Sequence, residues 1–315
     1  MPLERPKLTL GPLHFHWPAA RRRDFYARIA DEAPVDTVVL GEVVCSKRAP
    51  FFDSHIPEVA DRLRGAGKEV VLGSLALVMQ ARERQAVMDL AAADGDVLVE
   101  ANDLTAVAAC AGRPHAVGPL VAVYNPGTLE LMARQGAVRV CLPGELTADA
   151  IAALSRAALV CGTGLEVQAF GRLPLAISAR CYHARAHGLH KDGCRYVCEK
   201  HPDGMDLDTL DGDTQAGGKP ASGPFLTVNG VQTLSGSYLD LLGDLGRLRA
   251  LGVSRFRLSP QDCDMVAVAE TFRAVLDGTL AVPPARDRLR ELCPGRRFSN
   301  GFLHGVEGMA YRAAV

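Results

Sequence analysis

Three cysteines and four histidines are concentrated between residues 180 and 201. The cysteines follow a C-x12-C-x3-C spacing at Cys181, Cys194 and Cys198. The last two are four residues apart, so one helical turn there would point both sulfurs to the same side. Five basic residues against two acidic ones in this segment predict lowered thiol pKa values and a counter-charge for thiolates. The segment therefore indicates a metal or redox site.

The elements that would position this segment alternate between strands and helices. Continuous Val, Leu and Ile runs are typical of strands that are buried on both faces. Eight such units favour a (β/α)8, TIM-barrel-like fold, regular or imperfect, over a doubly wound open sheet, and no GxGxxG follows the first strand. The predicted strands cover residues 7–13, 37–44, 69–77, 96–101, 115–123, 138–144, 165–171 and 254–260. The predicted helices cover residues 18–31, 57–66, 81–93, 103–111, 128–135, 147–157 and 263–277.

An insertion separates the seventh and eighth units, over residues 172–237, and carries the three clustered cysteines. Within it, 225–234 predicts a strand with a turn at Asn229–Gly230, and Asp211–Gly218 predicts a mobile loop. We expect residues 1–282 to form one barrel-like domain that includes the insertion. Residues 283–315 would form an Arg-rich C-terminal tail at the surface.

A tetrathiolate site needs one more cysteine than the insertion supplies. Active groups in such barrels gather at the C-terminal ends of the strands. Cys45 follows the second strand, on the same rim as Cys181 after the seventh. Four soft ligands from distant chain positions suit an iron–sulfur cluster or structural zinc. Zinc stays open because four histidines are close in sequence: His183, His187, His190 and His201.

The remaining cysteines have a simpler interpretation. Free cysteine often packs as a small hydrophobic residue. That reading applies to Cys110, Cys141, Cys161 and Cys263, whereas Cys293 stays unassigned.

Polar residues at the predicted strand ends are candidates for binding or catalysis, because they lie on the rim where barrel enzymes do their chemistry. For Asn102, Asp103 and Glu145 the alternative is helix capping, and Arg257 could instead pair inside the barrel. His14 and His16, near Trp17, could line a site or pack in the core. The rim candidates are Glu42, Asn102, Asp103, Asn125, Glu145, Asn229 and Arg257.

Composition excludes several classes of protein. The 315 residues carry 35 Lys and Arg against 36 Asp and Glu, so no strongly basic nucleic-acid-binding surface is expected. The first ten residues lack the apolar stretch of a secretory signal, and no stretch is long and apolar enough to span a membrane. Nine cysteines, an odd number, favour free thiols and a cytoplasmic location.

Four motifs resemble the collagenase-like peptidase family, over nearly the whole chain. They are GPLHFHWP (11–18), VDTVVLGEVVCSKR (35–48), EVQAFGRLPLAISARCY (166–182) and the C-x12-C-x3-C spacing. The resemblance implies a barrel-like fold and a 4Fe–4S cluster on four cysteines. Many members have a cysteine eight residues after the glutamate that stands here as Glu166, but this chain has Pro174. Members that act in ubiquinone biosynthesis have a cysteine at the position of Cys45, which implies the ligand set Cys45, Cys181, Cys194 and Cys198.

The same resemblance implies a pathway and partners. These members hydroxylate the ubiquinone ring without oxygen, as a heterodimer with a UbiU-type sister protein. The resemblance also implies prephenate as the oxygen donor and an SCP2-type lipid-binding protein, UbiT, in the pathway. Two alternatives remain: a zinc-stabilised scaffold or binding protein, and a cysteine peptidase, for which the sequence shows no nucleophile signature.

Overall fold

A computed structural model describes residues 5–93, 97–208 and 223–313. The predicted loop at Asp211–Gly218 and the start of the predicted fourth strand, Asp96, lie outside the described residues. The strands are β1 (Lys7–Leu10), β2 (Thr37–Leu40), β3 (Glu69–Gly73), β4 (Leu98–Ala101), β5 (His115–Val117), β6 (Ala137–Leu142), β7 (Gly164–Gly171), β8 (Pro174–Ile177), β9 (Met205–Leu207), β10 (Leu226–Asn229), β11 (Gln232–Ser235), β12 (Tyr238–Asp240), β13 (Arg255–Leu258) and β14 (Phe298–Ser299).

Helices follow most of the barrel strands and form an outer layer. They are α1 (Ala19–Asp31), α2 (Ile56–Gly65), α3 (Ala81–Ala92), α4 (Leu104–Ala109), α5 (Pro126–Arg134), α6 (Ala148–Cys161), α7 (Tyr182–Ala186), α8 (Leu245–Ala250), α9 (Met265–Leu276) and α10 (Val282–Leu292). None of the helices in the described ranges is long and apolar enough to cross a membrane.

Eight parallel strands, β1 to β7 and β13, close into a barrel. Each pairs with the next along the chain, and β13 pairs with both β7 and β1. Phe256 of β13 pairs with Leu8 of β1 on one side and with Val167 of β7 on the other, and this pairing closes the barrel. The predicted (β/α)8 fold is confirmed, because buried apolar strands and interleaved amphipathic helices have few other ways to bury both surfaces.

Several strands end earlier than their apolar runs predicted. The second strand was expected over 37–44, but β2 ends at Leu40. Val43 and Val44 are buried nonetheless, in a small cluster with Val231 of the insertion. Their apolar character therefore reflects packing beneath the insertion rather than continued pairing in the barrel.

The insertion forms its own antiparallel sheet, in the order β8-β11-β10-β9. The predicted turn at Asn229–Gly230 is confirmed, since β10 and β11 form a hairpin with Asn229 paired to Gln232. After the barrel's last strand, α10 packs on α9, and the short β14 pairs with β12, which lies antiparallel to β7.

Gly41, directly after β2, has a backbone conformation that other residues resist. Its φ is +122°, and a Cβ atom there would lie 2.7 Å from the carbonyl oxygen of Gly73. We expect Gly41→Ala to lower the free energy of unfolding by about 1–3 kcal/mol, because of strain and overlap. Chemical denaturation measures this effect.

Gly65→Ala is the matched control for that substitution. Gly65 is the last residue of α2, and no atom would lie within 4 Å of its added Cβ. Alanine there should be neutral or stabilising by about 0.5–1 kcal/mol. A Gly41→Ala protein as stable as the control would show that the rim loop tolerates a side chain.

Candidate metal centre

The loop after β2 carries Cys45 in a fixed turn. Glu42 Oε1 accepts hydrogen bonds from the backbone N–H of Val44 at 3.0 Å and of Cys45 at 3.1 Å. The two valines before Cys45 are buried against Val231 of the insertion. Cys45 is thereby held between the barrel rim and the inserted sheet.

Cys181 and the following helix approach from the insertion side. Cys181 is the N-cap of α7, and its Sγ accepts the backbone N–H of Ala184 at 3.4 Å. The His183 backbone N–H donates to the Gly230 carbonyl in the hairpin turn, at 3.4 Å. The turn therefore braces the segment that presents the Cys181 thiol.

The helical turn predicted between Cys194 and Cys198 is wrong. Arg195 and Tyr196 have left-handed backbone conformations, with φ of 49° and 52°, and only a short 3-10 turn follows at Val197–Lys200. A non-glycine residue in the left-handed conformation stores strain of about 1–3 kcal/mol. Two such residues in succession persist only where packing enforces them. Here the Tyr196 ring packs edge-on against Phe51, 4.7 Å away between centroids.

Cys45, Cys181, Cys194 and Cys198 line one small cavity. Lys47, Arg48 and Lys191 also contribute to its wall. In the described ranges no three His, Cys, Asp or Glu side chains converge closely enough to hold a single metal ion. The four thiols are instead spread around the wall, so a ligand that uses all of them would have to fill the cavity.

Arg48 is a buried cation beside these thiols. Its side chain is 1% exposed and donates to two neutral acceptors, the His14 carbonyl at 2.9 Å and Asn229 Oδ1 at 3.0 Å. The guanidinium also lies against the Cys198 thiol. No carboxylate in the described part of the chain forms an ion pair with it. Its charge interacts with the Glu42 carboxylate and with the Cys198 and Cys45 sulfurs, so thiolates in this cavity would help to compensate it.

Gly230 makes that position of Arg48 possible. A Cβ atom on Gly230 would lie 2.5 Å from Arg48 Nη2, and the residue has φ +64°. The Asn–Gly pair thus serves both the hairpin turn and the close approach of the guanidinium.

The prediction that nearby cations lower the thiol pKa values is wrong for three of the cysteines. Burial raises the pKa of Cys45, Cys181 and Cys198. The Arg48 charge opposes this effect at all three but does not overcome it. Without a bound cation these thiols stay protonated at neutral pH, so metal binding would release protons.

His183, His187 and His201 form a cluster, and His183 also lines the thiol cavity. His183 Nε2 and His201 Nδ1 lie 2.7 Å apart, and His187 Nδ1 lies 2.9 Å from the His183 carbonyl. Burial, with His201 and Arg48 adding to it, lowers the pKa of His183 to about 4. The His183 ring is therefore neutral at pH 7. Burial also lowers the pKa of His201.

His14 and His16, the two histidines of the first loop, are both buried. His14 supplies the carbonyl that Arg48 binds, and the His16 ring packs edge-on against Phe51. Burial lowers the pKa of each to about 4. Trp17 donates its indole N–H to the Pro202 carbonyl at 2.7 Å and so ties this loop to the insertion.

The rim candidates separate into caps and buried groups. Asp103 caps α4, as expected, and Asn125 caps α5. The capping interpretation is wrong for Asn102 and Glu145: Asn102 is buried and hydrogen-bonds to Ser74, whereas Glu145 accepts from the Tyr124 hydroxyl, and Thr147 caps α6.

Arg257 lies inside the barrel rather than in an open site. It pairs with Glu100 and Glu166, all three being 4% exposed or less. Thr9 donates to Glu166 at 3.1 Å, and Asn102 donates to Glu100 at 3.4 Å. Arg257 and its two carboxylates therefore form an internal ion network that crosses from β13 to β4 and β7.

The other cysteines lie apart from the thiol cavity. Cys110, Cys141 and Cys293 are buried, and Cys161 and Cys263 are partly buried against the main core. Cys293 lies at the end of α10, where it is enclosed by the barrel core despite the polar sequence around it.

Comparisons with known proteins identify a family. The sequence profile of peptidase family U32 matches residues 24–311. A solved U32 peptidase aligns at TM-score 0.43 and 12% identity, over 81% of this chain and 93% of its own. An amidohydrolase from an environmental sample of the Sargasso Sea aligns at TM-score 0.28 and 16% identity, over 64% and 54%. An enolase from Agrobacterium radiobacter aligns at TM-score 0.27 and 10% identity, over 73% and 61%.

Proposed function

This chain belongs to peptidase family U32, and from that premise we propose that it is a UbiV-type iron–sulfur subunit for oxygen-independent hydroxylation of the ubiquinone ring. Family membership is consistent with the resemblance seen in the motifs of the sequence. The pathway, the cluster and the partners form the proposal.

The observation that carries the proposal is the meeting of four distant cysteines at one cavity. Cys45 comes from the barrel rim, and Cys181, Cys194 and Cys198 come from the insertion. Four thiol donors are the usual ligand set of a 4Fe–4S cluster. The buried Arg48 guanidinium, which interacts with Cys198 and Cys45, would balance the negative charge of four thiolates around a cluster. These residues supply the donor set of such a cluster, and its position among them is part of the proposal.

A bound 4Fe–4S cluster supplies a one-electron route. The chain's own residues would hold the cluster through four thiolates, and the buried Arg48 would balance its charge. Lys47 donates to the carbonyls of Lys191 and Asp192 at 2.7 and 2.8 Å and thereby fastens the insertion over the rim. Four protein ligands leave no iron position for substrate, which favours electron transfer or a structural role.

A zinc-stabilised scaffold is the second candidate, and the histidine cluster is the observation that favours it. Against it stands the contact of His183 Nε2 with His201 Nδ1, which engages a ring nitrogen of each. Zinc on those two nitrogens would require these rings to separate, whereas zinc on the four thiolates would leave the contact intact. Metal analysis distinguishes the two candidates.

Proteolysis is the activity that the family name suggests. A cysteine nucleophile needs a base within hydrogen-bond reach. Among the described residues, no thiol hydrogen-bonds to a histidine ring, and the four clustered thiols are better explained as ligands. We therefore do not assign peptidase activity to this chain.

The proposal includes partners. A UbiU-type sister protein would complete a heterodimer, and the lipid-binding protein UbiT would present the ubiquinone precursor. Prephenate would donate the oxygen atom. Neither a nucleic acid nor a membrane span forms part of the proposal.

Ubiquinone measurements in cells that lack this chain test the pathway. Under anaerobic growth we expect ubiquinone to fall to the detection limit, with restoration by the wild-type chain but not by a Cys194→Ala chain. Under aeration ubiquinone should be unchanged, because oxygen-dependent hydroxylation then suffices. A strict requirement for the chain in aerated cells would contradict the pathway assignment.

A further inference from the structure

Three sulfur atoms lie together where the start of α9 meets the end of α10, apart from the thiol cavity. Cys263 Sγ and Met265 Sδ are 3.7 Å apart, and the Cys263 thiol lies within hydrogen-bond reach of the Cys293 sulfur. None of the three residues lines the thiol cavity or takes part in the proposed function. We refer to Cys263, Met265 and Cys293 as the α9–α10 sulfur site.

Regular structure holds the backbone around each of these sulfurs. Cys263 and Met265 flank Asp264, whose carboxylate caps α9 by accepting the backbone N–H of Val266 at 3.1 Å. Cys293 is the C-cap of α10, and α10 packs on α9. The packing of two helices therefore brings the three sulfurs together, and no loop has to rearrange for them to meet.

The site is enclosed on one side and accessible on the other. The Met265 and Cys293 side chains are 2% and 3% exposed and belong to the main core, whereas Cys263 is only partly buried. An ion can therefore reach the site past Cys263 without separating the helices. An apolar shell of this kind excludes water from the bound ion.

Two thiols and one thioether make a soft donor set, of the kind that selects Cu(I) over harder cations such as Mg²⁺ and Ca²⁺. With metal–sulfur bonds of about 2.3 Å, the length found for zinc, three sulfurs in a plane around one ion are about 4 Å apart. The separation of 3.7 Å between Cys263 and Met265 is close to that spacing. Small side-chain movements would therefore suffice to seat the ion.

We propose that the α9–α10 sulfur site binds one Cu(I) ion through the thiolates of Cys263 and Cys293 and the thioether of Met265. On binding, each thiol gives up its proton to solvent, so one ion displaces two protons. The ion enters and stays as Cu(I), and no electron is transferred. This site does not depend on the proposed cluster, because the two share no ligand.

Anaerobic titration of the full chain with Cu(I), buffered by the chelator bicinchoninate, tests the inference. The wild type should bind one Cu(I) more per chain than Cys263→Ala does, because the thiols of the thiol cavity contribute equally to both. Cys293→Ala should show the same loss. Equal copper content in the wild type and in both variants would overturn the inference.

Met265→Leu tests the thioether at nearly constant side-chain volume, so that the fold is kept. We expect it to weaken the binding of that one ion at least about tenfold, because the third donor is lost. Met132→Leu, at a buried position of α5, is the matched control and should bind copper as the wild type does. Unchanged affinity in Met265→Leu would contradict the role of the thioether.

Carbon-13 labelling of the methionine methyl groups locates the ion. The chain has seven methionines, and the Met265→Leu variant identifies the Met265 resonance by its loss. Cu(I) added to saturation should shift the Met265 resonance and leave that of Met132 in place. Copper that binds without shifting the Met265 resonance would be an adventitious ion only, and the site would be refuted.

Discussion

Replacing Cys45 with alanine is expected to abolish cluster binding as completely as replacing Cys194. Both thiols line the same cavity, one from the barrel rim and one from the insertion. Loss of one thiolate would leave one iron without its cysteine ligand, and no fifth thiol of the described residues lines the cavity, so we expect the cluster to be lost. Iron and sulfide per chain, measured after anaerobic reconstitution, should fall from about four of each to background in both variants.

Cys110→Ala and Cys161→Ala are the controls for that experiment. Neither residue lines the thiol cavity, and both pack against other parts of the protein. Their iron content should equal that of the wild type. A fully loaded Cys45→Ala protein would refute the fourth ligand, and loss of iron from Cys110→Ala would refute the packing role of that cysteine.

Removing Arg257 is expected to have the largest effect on stability. Arg257→Met would leave Glu100 and Glu166 buried without their cation, at a cost of about 3–5 kcal/mol in the free energy of unfolding. Burial by itself would raise the pKa of Glu166, yet Arg257, together with Arg139 and Arg255, holds it below its usual range. The variant should therefore take up a proton on folding at pH values where the wild type does not.

A second substitution tests whether charge is the cause. Adding Glu100→Gln to Arg257→Met should restore part of the lost stability, because one unpaired carboxylate is removed. Arg288→Met, which breaks a surface pair with Glu270, should cost less than about 1 kcal/mol. An Arg257→Met protein with the stability of Arg288→Met would show that the internal network does not stabilise the barrel.

The barrel could be predicted from the sequence because its strands are short, apolar and regularly spaced. The ends of the strands could not be predicted from the sequence. Val43 and Val44 have the residue type of a buried strand, but they are buried because they contact Val231. That contact joins positions almost 190 residues apart, and local patterns carry no information about it.

The cysteines of the site were identifiable by type and spacing, whereas their surroundings were not. Arg48 lies three residues after Cys45, so its sequence position indicated a cation near that thiol. Its burial was not predictable, because an arginine in a loop usually faces solvent. Its burial depends on Gly230 and Asn229 in a distant hairpin. The left-handed conformation of Tyr196 was likewise invisible in the sequence, because it results from packing against Phe51.

The iron, sulfide and zinc content of the chain, purified without oxygen, together with its absorption spectrum, tests the central proposal most directly. About four irons and four sulfides per chain, with a broad visible absorption band, is the expected result. Zinc without sulfide would contradict the cluster, leave the barrel fold unaffected and shift the function toward a zinc-stabilised scaffold.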